Sequence, residues 1–196
     1  MTGAILAGGR GRRLGGVDKG LVRLHGRPLV EHVIERLAPQ VGRLVISANR
    51  NRDVYAAYGF PVVADVAGGY RGPLAGMLSV LRAAETPFIL CVPCDAPALP
   101  ADLAERLATG LADVRADACV ASCGGRMQPV FALLRCTLAG RLREYLGHGG
   151  CAAGAWLRRE RAAVVDFPDA VAAFANVNTE EDRELFEKER RTCGKP

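Results

Sequence analysis

The chain has 196 residues, of which 49% are hydrophobic and 24% are charged, and its formal net charge is +5. This length and balance are typical of one globular domain with a sizeable core. No run of 18 apolar residues occurs, and no basic region precedes the short apolar run at the N-terminus. We therefore expect neither a transmembrane helix nor a signal peptide, and we expect a cytoplasmic protein.

The predicted elements alternate between strands and helices along the chain. Strands are predicted at residues 3–6, 43–47, 61–65, 88–92, 118–122, 129–134 and 162–167. Helices are predicted at about 29–37 and 54–58, in a segment ending near 84, at 102–108, 138–146 and 153–159, and after residue 178. This alternation predicts an α/β fold, with a Rossmann-like, doubly wound and mostly parallel sheet that carries helices on both faces in three α/β/α layers.

A glycine-rich cationic segment follows the first strand, and an aspartate follows the fourth. The segment LAGGRGRRLGGVDKGL runs from Leu6 to Leu21, and the fourth strand leads into PCDAP at 93–97. In a doubly wound sheet of order 3-2-1-4 the first and fourth strands are neighbours, so their C-terminal loops flank one crevice where ligands bind. The sequence therefore places the cationic segment opposite Asp95 and predicts a phosphate and metal site between them.

The chemistry of the glycine segment suits phosphate groups. Glycines let backbone N–H groups approach an oxyanion closely, and Arg10, Arg12, Arg13 and Lys19 add positive charge. Of the chain's 26 lysines and arginines only three are lysines, and Lys19 is the only one before residue 188. Because lysine is a compact point charge and arginine a planar fork, position 19 is predicted to need an ammonium group. By composition alone, a solvated basic turn is an equally good interpretation.

Asp95 follows a purely apolar strand and lies between two prolines, a rigid setting for a metal ligand. Mg²⁺ takes one or two protein carboxylates and completes its coordination with water and substrate phosphates. A helix cap is the structural alternative for this carboxylate. Neither the P-loop pattern nor the dinucleotide-binding fingerprint occurs in the glycine segment, so any phosphate site here is of another type.

The cysteines are interpreted as reduced thiols. Their number, seven, is odd, so at least one is unpaired. Cys91 and Cys94 have the spacing of a redox pair, but prolines delay any helix after them. A zinc site that joined them to Cys119 and Cys123 would need two strands to converge. We therefore expect buried apolar cysteines.

Four segments carry a family resemblance. They are LAGGRGRRLGGVDKGL, GPLAGM at 72–77, CVPCDAP at 91–97 and FANVNTEED at 174–182. Together they resemble the molybdenum cofactor guanylyltransferases of the nucleotidyltransferase superfamily, in order and over nearly the whole chain. The resemblance implies one domain over 1–196, with a nucleotide-binding half at about 1–100 and an acceptor-binding half at about 101–190. It also implies Mg²⁺-dependent transfer of GMP from GTP to the terminal phosphate of molybdopterin, with release of pyrophosphate.

The resemblance implies roles for individual residues. Asp95 is expected to hold the Mg²⁺, while Lys19 and Arg13 are expected to stabilise the transferring group, which makes these three the expected catalytic residues. Besides Lys19 and Asp95, the backbone contacts to the nucleotide are expected from Leu6, Ala7, Gly8 and Gly9.

Four further residues are implied in nucleotide binding. Asp65, at the end of the third strand, is the matching nucleotide contact. The family often has asparagine where this chain has Ser47, and the next match is Asn49, so both are candidates for a base contact. Gly76 is expected to permit close approach of the ribose or base, with tight helix packing as the alternative.

The acceptor side is assigned to three residues by the same resemblance. Gln128 is placed at the crevice, with a structural strand position as its alternative. Asn176 and Asn178 are assigned to the pterin pocket and are expected to end a strand and begin the last helix, where helix capping is the alternative for Asn178.

The expected partners are GTP and molybdopterin, followed downstream by molybdenum-cofactor carrier proteins or molybdoenzyme chaperones. We expect a monomer that binds neither membrane nor nucleic acid, because no aromatic-rich basic motif accompanies the positive charge. Three alternatives stay open: a cytidylyl- or sugar-phosphate nucleotidyltransferase, a non-catalytic GTP-sensing module, and a basic RNA-binding protein.

Overall fold

The structure is a computed structural model that describes residues 1–8, 17–65, 72–168 and 170–193. Its strands are β1 (Thr2–Leu6), β2 (Arg23–Leu24), β3 (Arg27–Pro28), β4 (Arg43–Ser47), β5 (Val62–Val63), β6 (Phe88–Pro93), β7 (Ala118–Cys123), β8 (Arg126–Arg135) and β9 (Ala163–Asp166). Its α-helices are α1 (Leu29–Leu37), α2 (Arg52–Ala56), α3 (Pro73–Ala83), α4 (Leu103–Asp113), α5 (Ala139–Gly147), α6 (Ala153–Arg159) and α7 (Glu180–Cys193). Among the helices described, none is long and apolar enough to cross a membrane.

Seven strands form the central sheet in the order β5-β4-β1-β6-β8-β7-β9, while β2 and β3 form a separate hairpin. The first four predicted strands therefore lie in the predicted order, third, second, first and fourth, and they pair in parallel. The mostly parallel, doubly wound α/β fold is confirmed. In register, Leu6 at the end of β1 lies beside Ser47 on β4 and Pro93 on β6, so the carboxyl ends of three strands meet at one edge.

One strand runs against the others. β8 is antiparallel to both β6 and β7. It follows β7 through Gly124 and Gly125, which both have positive φ, at 57° and 71°. A two-residue turn with positive φ at both positions matches the twist of an antiparallel pair, so this Gly-Gly turn closes a hairpin. β9 returns to the parallel direction beside β7.

The core lies on both faces of the sheet. Successive residues of β1 point to opposite faces, so Ile5 belongs to the apolar cluster that includes α1 and α4, whereas Ala4 belongs to the cluster that includes α3, α5 and α6. The buried face of α1 consists of Leu29, Val30, Val33 and Leu37, together with His32. Two apolar layers of helices around one sheet account for the predicted three-layer architecture.

The structure differs from the prediction in two elements that lie near the site. α4 runs to Asp113, well past the predicted end at 108, because Leu107 and Leu111 continue its buried face. In the described residues between β9 and α7 no strand leads into Asn176, where one was expected: a short 3₁₀ turn at Ala172–Phe174 is followed by irregular chain up to α7. The expectation of a strand there was wrong. The backbone of this segment is held instead by a long-range hydrogen bond, which Val177 N donates to Asp95 O at 2.8 Å.

Candidate functional site

The site lies where β1, β4 and β6 end. Hydrogen bonds continue the sheet by one residue past these ends, since Ala7 N donates to Ser47 O at 2.8 Å and Cys94 N donates to Leu6 O at 3.3 Å. Ala7 and Cys94 are buried. The loops after the three strands therefore start from fixed positions at one edge, as a ligand crevice in a doubly wound sheet requires.

A charged cluster joins three distant segments at this edge. Lys19 Nζ lies 3.1 Å from Asp95 Oδ2 and also donates a short hydrogen bond to Asn178 Oδ1. The lysine side chain is 24% exposed and the aspartate side chain only 9%. We call Lys19, Asp95 and Asn178 the Lys19 cluster. The structure thus brings together two residues predicted as catalytic and one assigned to the acceptor side.

The Lys19 cluster has a rigid frame on its Asp95 side. Asp95 lies between Cys94 and Ala96, both buried, and its carbonyl oxygen accepts the 2.8 Å bond from Val177 N. Val177 is itself buried in a small apolar cluster. The contact between Val177 and Asp95 is backbone only and joins residues far apart in sequence, so no side-chain pattern could have revealed it.

The N-terminus of α7 holds Asn178. Asp182 Oδ2 accepts from the backbone N–H groups of Asn178, at 2.8 Å, and Thr179, at 2.9 Å. Asp182 N in turn donates to Thr179 Oγ1 at 3.1 Å, which completes a reciprocal cap. Donation from the Asn178 N–H, then from Thr179, lowers the pKa of the Asp182 carboxyl. Because Thr179 and Asp182 supply the cap, the Asn178 side chain is directed to Lys19 instead.

A second polar cluster surrounds Asp65. Asn49 Nδ2 donates to Asp65 Oδ2 at 2.7 Å, and Asp65 N donates to Asn49 Oδ1 at 2.9 Å. Within the described part of the chain, Asp65 Oδ1 and Ser47 Oγ are buried without a hydrogen-bond partner. We call Ser47, Asn49 and Asp65 the Asp65 cluster. Buried polar groups normally find a partner, so these two atoms suit a bound polar group.

Two glycines leave space beside the Asp65 cluster. A Cβ on Gly8 would lie 3.2 Å from Asn49 Nδ2. A Cβ on Gly76 would lie 3.0 Å from Ser47 Oγ, 3.3 Å from a Leu6 methyl group and 3.7 Å from Asp65 Oδ1. Gly76 therefore lets α3 pack closely on β1 and β4, and the same contact places it next to the polar atoms. Packing is a sufficient reason for glycine at this position.

The remaining predicted residues are placed as follows. Gln128 lies on β8, where its side-chain amide donates to Arg126 O at 3.4 Å. No hydrogen bond among the described residues joins Gln128 to the Lys19 cluster. Asn176 contacts that cluster through its carbonyl oxygen, which accepts from Asn178 Nδ2 at 3.4 Å. Gly9 and Arg13 lie outside the described residues, as do Arg10 and Arg12.

The cysteines near the site are unsuited to redox or metal chemistry. Cys91, Cys94 and Cys119 are buried. Burial raises the pKa of the Cys91 and Cys94 thiols and raises that of Cys119 to about 11. A reactive cysteine needs a lowered pKa, so these thiols stay protonated and unreactive. In the ranges that the structure describes, no group of three His, Cys, Asp or Glu residues could hold a metal ion.

The matching family model and the similar sequences indicate the same family. Residues 3–164 match the family of the MobA-like NTP transferase domain. The chain is 46% identical over 184 residues to the molybdenum cofactor guanylyltransferase of Shewanella sediminis, an alignment that covers 94% of each protein. It is 47% identical over 198 residues to the molybdenum cofactor guanylyltransferase of Ralstonia nicotianae, covering 96% of this chain and 97% of the relative.

A solved structure shares the fold. The crystal structure of molybdopterin-guanine dinucleotide biosynthesis protein A from Archaeoglobus fulgidus superposes with a TM-score of 0.80. The superposition covers 98% of this chain and all of the other, at 24% sequence identity. This likeness shows the architecture, while the sequence relatives show the family.

Proposed function

The chain belongs to the MobA-like NTP transferase family, as a nucleotidyltransferase of the molybdenum cofactor guanylyltransferase type, and we propose that it transfers GMP from GTP to the terminal phosphate of molybdopterin. The observation that carries the proposal is the 3.1 Å approach of Lys19 Nζ to Asp95 Oδ2 across two loops of one crevice. That approach sets an ammonium and a carboxylate side by side, which suits a triphosphate and its counter-ion.

The reaction needs alignment and charge neutralisation more than proton transfer. A phosphate oxygen of the acceptor forms a bond to the α-phosphorus of GTP, and the bond from that phosphorus to the oxygen bridging to the β-phosphate breaks. Pyrophosphate leaves with the electron pair. Because a phosphate monoester already carries ionised oxygens near neutral pH, the protein needs no general base. Catalysis therefore comes from positioning and from cationic groups at the reacting phosphate.

We propose Lys19 as the main cationic group from the described part of the chain. Its partial exposure lets the ammonium reach a bound phosphate, while Asp95 and Asn178 hold it where the central strands end. In the division that we propose, Asn178 lies in the acceptor half at about 101–190 and Lys19 in the nucleotide half at about 1–100. Arg13, which the resemblance pairs with Lys19, completes the proposed charge around the pyrophosphate.

Nucleotidyltransferases of this family generally use a divalent metal, and we propose Mg²⁺ at Asp95. The donor set fits: the site offers one buried carboxylate, and no cluster of three acidic, His or Cys ligands occurs in the described ranges. Mg²⁺ binds through one or two carboxylates and takes its other ligands from water and phosphates. When bound, the ion would neutralise part of the negative charge of the triphosphate.

We propose that the Asp65 cluster reads the base. Guanine presents two neighbouring donors, the ring N–H and the exocyclic amine, and a carboxylate accepts such donors well. Asp65 Oδ1 is the unpartnered buried acceptor in this cluster, and Ser47 Oγ can accept or donate beside it. Both polar ends of the Asn49 side chain contact Asp65, so the proposed role of Asn49 is to orient the Asp65 carboxylate. Backbone groups of Leu6, Ala7, Gly8 and Gly9 would contact the rest of the nucleotide.

The acceptor site is proposed around Gln128, Asn176 and Asn178. Asn178 is the member that already contacts Lys19. This link would place the acceptor phosphate within reach of Lys19, and an in-line attack then requires the pyrophosphate to leave from the opposite side of the α-phosphorus.

Nucleotide competition tests the proposal. Pyrophosphate release is measured with molybdopterin and each of GTP, CTP, ATP and UTP, with and without Mg²⁺. We expect release with GTP and Mg²⁺ only. Preference for CTP would assign the chain to a cytidylyltransferase, and tight GTP binding without pyrophosphate release would assign it to a sensing module. Either result would overturn the proposed function.

A further inference from the structure

A buried carboxylate lies directly before Lys19 in the chain. Asp18 is only 7% exposed, yet both of its oxygens have partners. Tyr55 OH donates to Asp18 Oδ1 at 2.6 Å, and Asn51 Nδ2 donates to Asp18 Oδ2 at 3.0 Å. Both donors come from α2 and the residue that precedes it. The carboxylate is therefore held by one short helix and the residue before it.

The residue directly after Lys19 is fitted to the same hydroxyl group. A Cβ on Gly20 would overlap the Tyr55 hydroxyl oxygen, while the next nearest ring atoms would lie at 3.3 Å. The φ of Gly20 lies outside the left-handed region, so the glycine is needed for space rather than for backbone conformation. Tyr55 thus contacts the chain on both sides of Lys19.

These contacts fix a single turn. Leu21 N donates to Asp18 O at 3.0 Å, and Val22 N donates to Lys19 O at 3.1 Å, which closes the 3₁₀ turn at Lys19–Leu21. Lys19 is the turn's first residue, and its side chain has four rotatable bonds before the ammonium. Because these bonds allow the ammonium many positions, a fixed turn limits which of them it can occupy, and a displaced turn would lower the population that contacts Asp95 and Asn178.

We infer that Tyr55 is a positioning residue for the transfer reaction, which through Asp18 and Gly20 directs Lys19 toward Asp95 and Asn178. The inference rests on the proposed role of Lys19. Tyr55 is fully buried and belongs to the core cluster that includes Ile5, so its hydroxyl position is set by packing. A misplacement of about 1 Å in a catalytic group can cost about 10²-fold in rate, which is why such support matters.

The hydroxyl remains a donor under assay conditions. Burial, and then the neighbouring Cys94 and Asp18, raise the pKa of Tyr55. A protonated phenol next to a carboxylate gives a directional hydrogen bond, so Tyr55 defines the rotamer of Asp18 as well as its position.

The test begins with Tyr55→Phe in the full chain, which keeps the ring and removes one hydroxyl. We expect kcat for pyrophosphate release with GTP and molybdopterin to fall about tenfold to 100-fold, with the KM for GTP changed less than about threefold. Tyr58→Phe is the matched control, because the Tyr58 hydroxyl donates to Glu31 at 3.3 Å and not to Asp18. We expect the control to keep its kcat.

A double-mutant cycle separates positioning from general destabilisation. Gly20→Ala alone introduces the overlap with the Tyr55 hydroxyl and is expected to lower kcat about 100-fold. In the Tyr55→Phe background the obstructing atom is gone, so the same alanine should cost less than about threefold. Independent losses that multiply in the double variant would overturn the inference.

Failure of this inference and failure of the proposed function give different results. If the unsubstituted chain transfers no nucleotide, the proposed function fails; if it is active and Tyr55→Phe is equally active, only this inference fails. If Tyr55→Phe folds poorly by circular dichroism, Asp18→Asn replaces it. An asparagine has one acceptor oxygen in place of the two that now accept from Tyr55 OH and Asn51 Nδ2. A kcat for folded Asp18→Asn equal to that of the unsubstituted chain would then reject the positioning role.

Discussion

The Lys19 cluster and the Asp65 cluster occupy the same edge of the sheet but are built in opposite ways. Lys19 contacts residues 76 and 159 positions away, and its charge is paired with Asp95. Asn49 and Asp65 are 16 positions apart, and their cluster keeps two buried polar atoms without partners in the described chain. Paired opposite charges suit a step in which charge moves, whereas unpartnered polar atoms suit selection of a polar ligand.

This difference predicts different kinetic effects. Changes in the Lys19 cluster should lower kcat, because they act on charge that develops during transfer. Changes in the Asp65 cluster should weaken nucleotide binding and alter the choice of base, because they act on a contact made before and during the reaction alike. If substitutions in both clusters changed kcat and nucleotide binding in the same way, the two clusters would not have different roles.

The largest effect is expected from Asp95→Ala. Loss of the only carboxylate in the Lys19 cluster removes the proposed metal ligand and the partner of Lys19, so pyrophosphate release should fall about 10³-fold or more. Asp102→Ala is the matched control, because Asp102 is exposed at the start of α4 and pairs with Arg106. An Asp95→Ala variant with more than about a tenth of the activity would contradict the assignment.

Lys19→Ala is expected to lower kcat about 10²-fold. Lys19→Arg should restore less than about a tenth of the lost rate, because a planar guanidinium does not fit between one carboxylate and one amide as a point charge does. Lys188→Ala, on the exposed side of α7, serves as the control. Full rescue by arginine would show that position 19 needs only positive charge.

Asp65→Asn should change binding and base choice instead of kcat. A hydrogen bond to a charged group contributes about 1.5–3 kcal/mol, so GTP should bind about 10- to 100-fold more weakly. ITP lacks the exocyclic amine, so its binding should weaken less, and the preference for GTP over ITP should shrink. Calorimetric titration of both nucleotides measures this, with Asp53→Asn on the exposed face of α2 as control. An unchanged GTP to ITP ratio would exclude Asp65 as the reader of that amine.

The smallest effect is expected at the cap that holds Asn178. Asp182→Ala should lower the free energy of unfolding by about 1 kcal/mol at pH 7. Because the folded pKa of Asp182 lies below its ordinary value of 3.8, its contribution is fully present above that pH and is lost as the pH falls through the folded pKa. Urea unfolding at pH 7 and below pH 3 checks this, with Glu181→Ala in the same helical turn as control. A difference that persists at the lower pH would assign the effect to packing rather than to the ionised cap.

Local patterns were sufficient for much of the fold. Each of the four apolar runs that became β1, β4, β5 and β6 is bounded by turn residues, and their sheet order is the one that the doubly wound template predicts. The direction of β8 was not predicted, although the Gly124–Gly125 turn contains the signal, because such a turn is recognised only once two strands are known to flank it. The early predicted end of α4 has a similar cause: Gly110 weakens the helical pattern, yet it is needed where α4 packs against Val165 of β9.

The candidate site, like the fold, could be predicted from the sequence only in part. The sequence alone determined the chemical inventory: one lysine in a glycine segment, one aspartate after a buried apolar strand, and four motifs that together indicate a nucleotidyltransferase. Only the tertiary structure decided that Asn178 contacts Lys19, that Asn49 contacts Asp65, and that Tyr55 donates to Asp18 beside Lys19. Those contacts depend on which distant segments packing brings within hydrogen-bonding distance, a property of the whole folded chain that no local spacing of residues encodes.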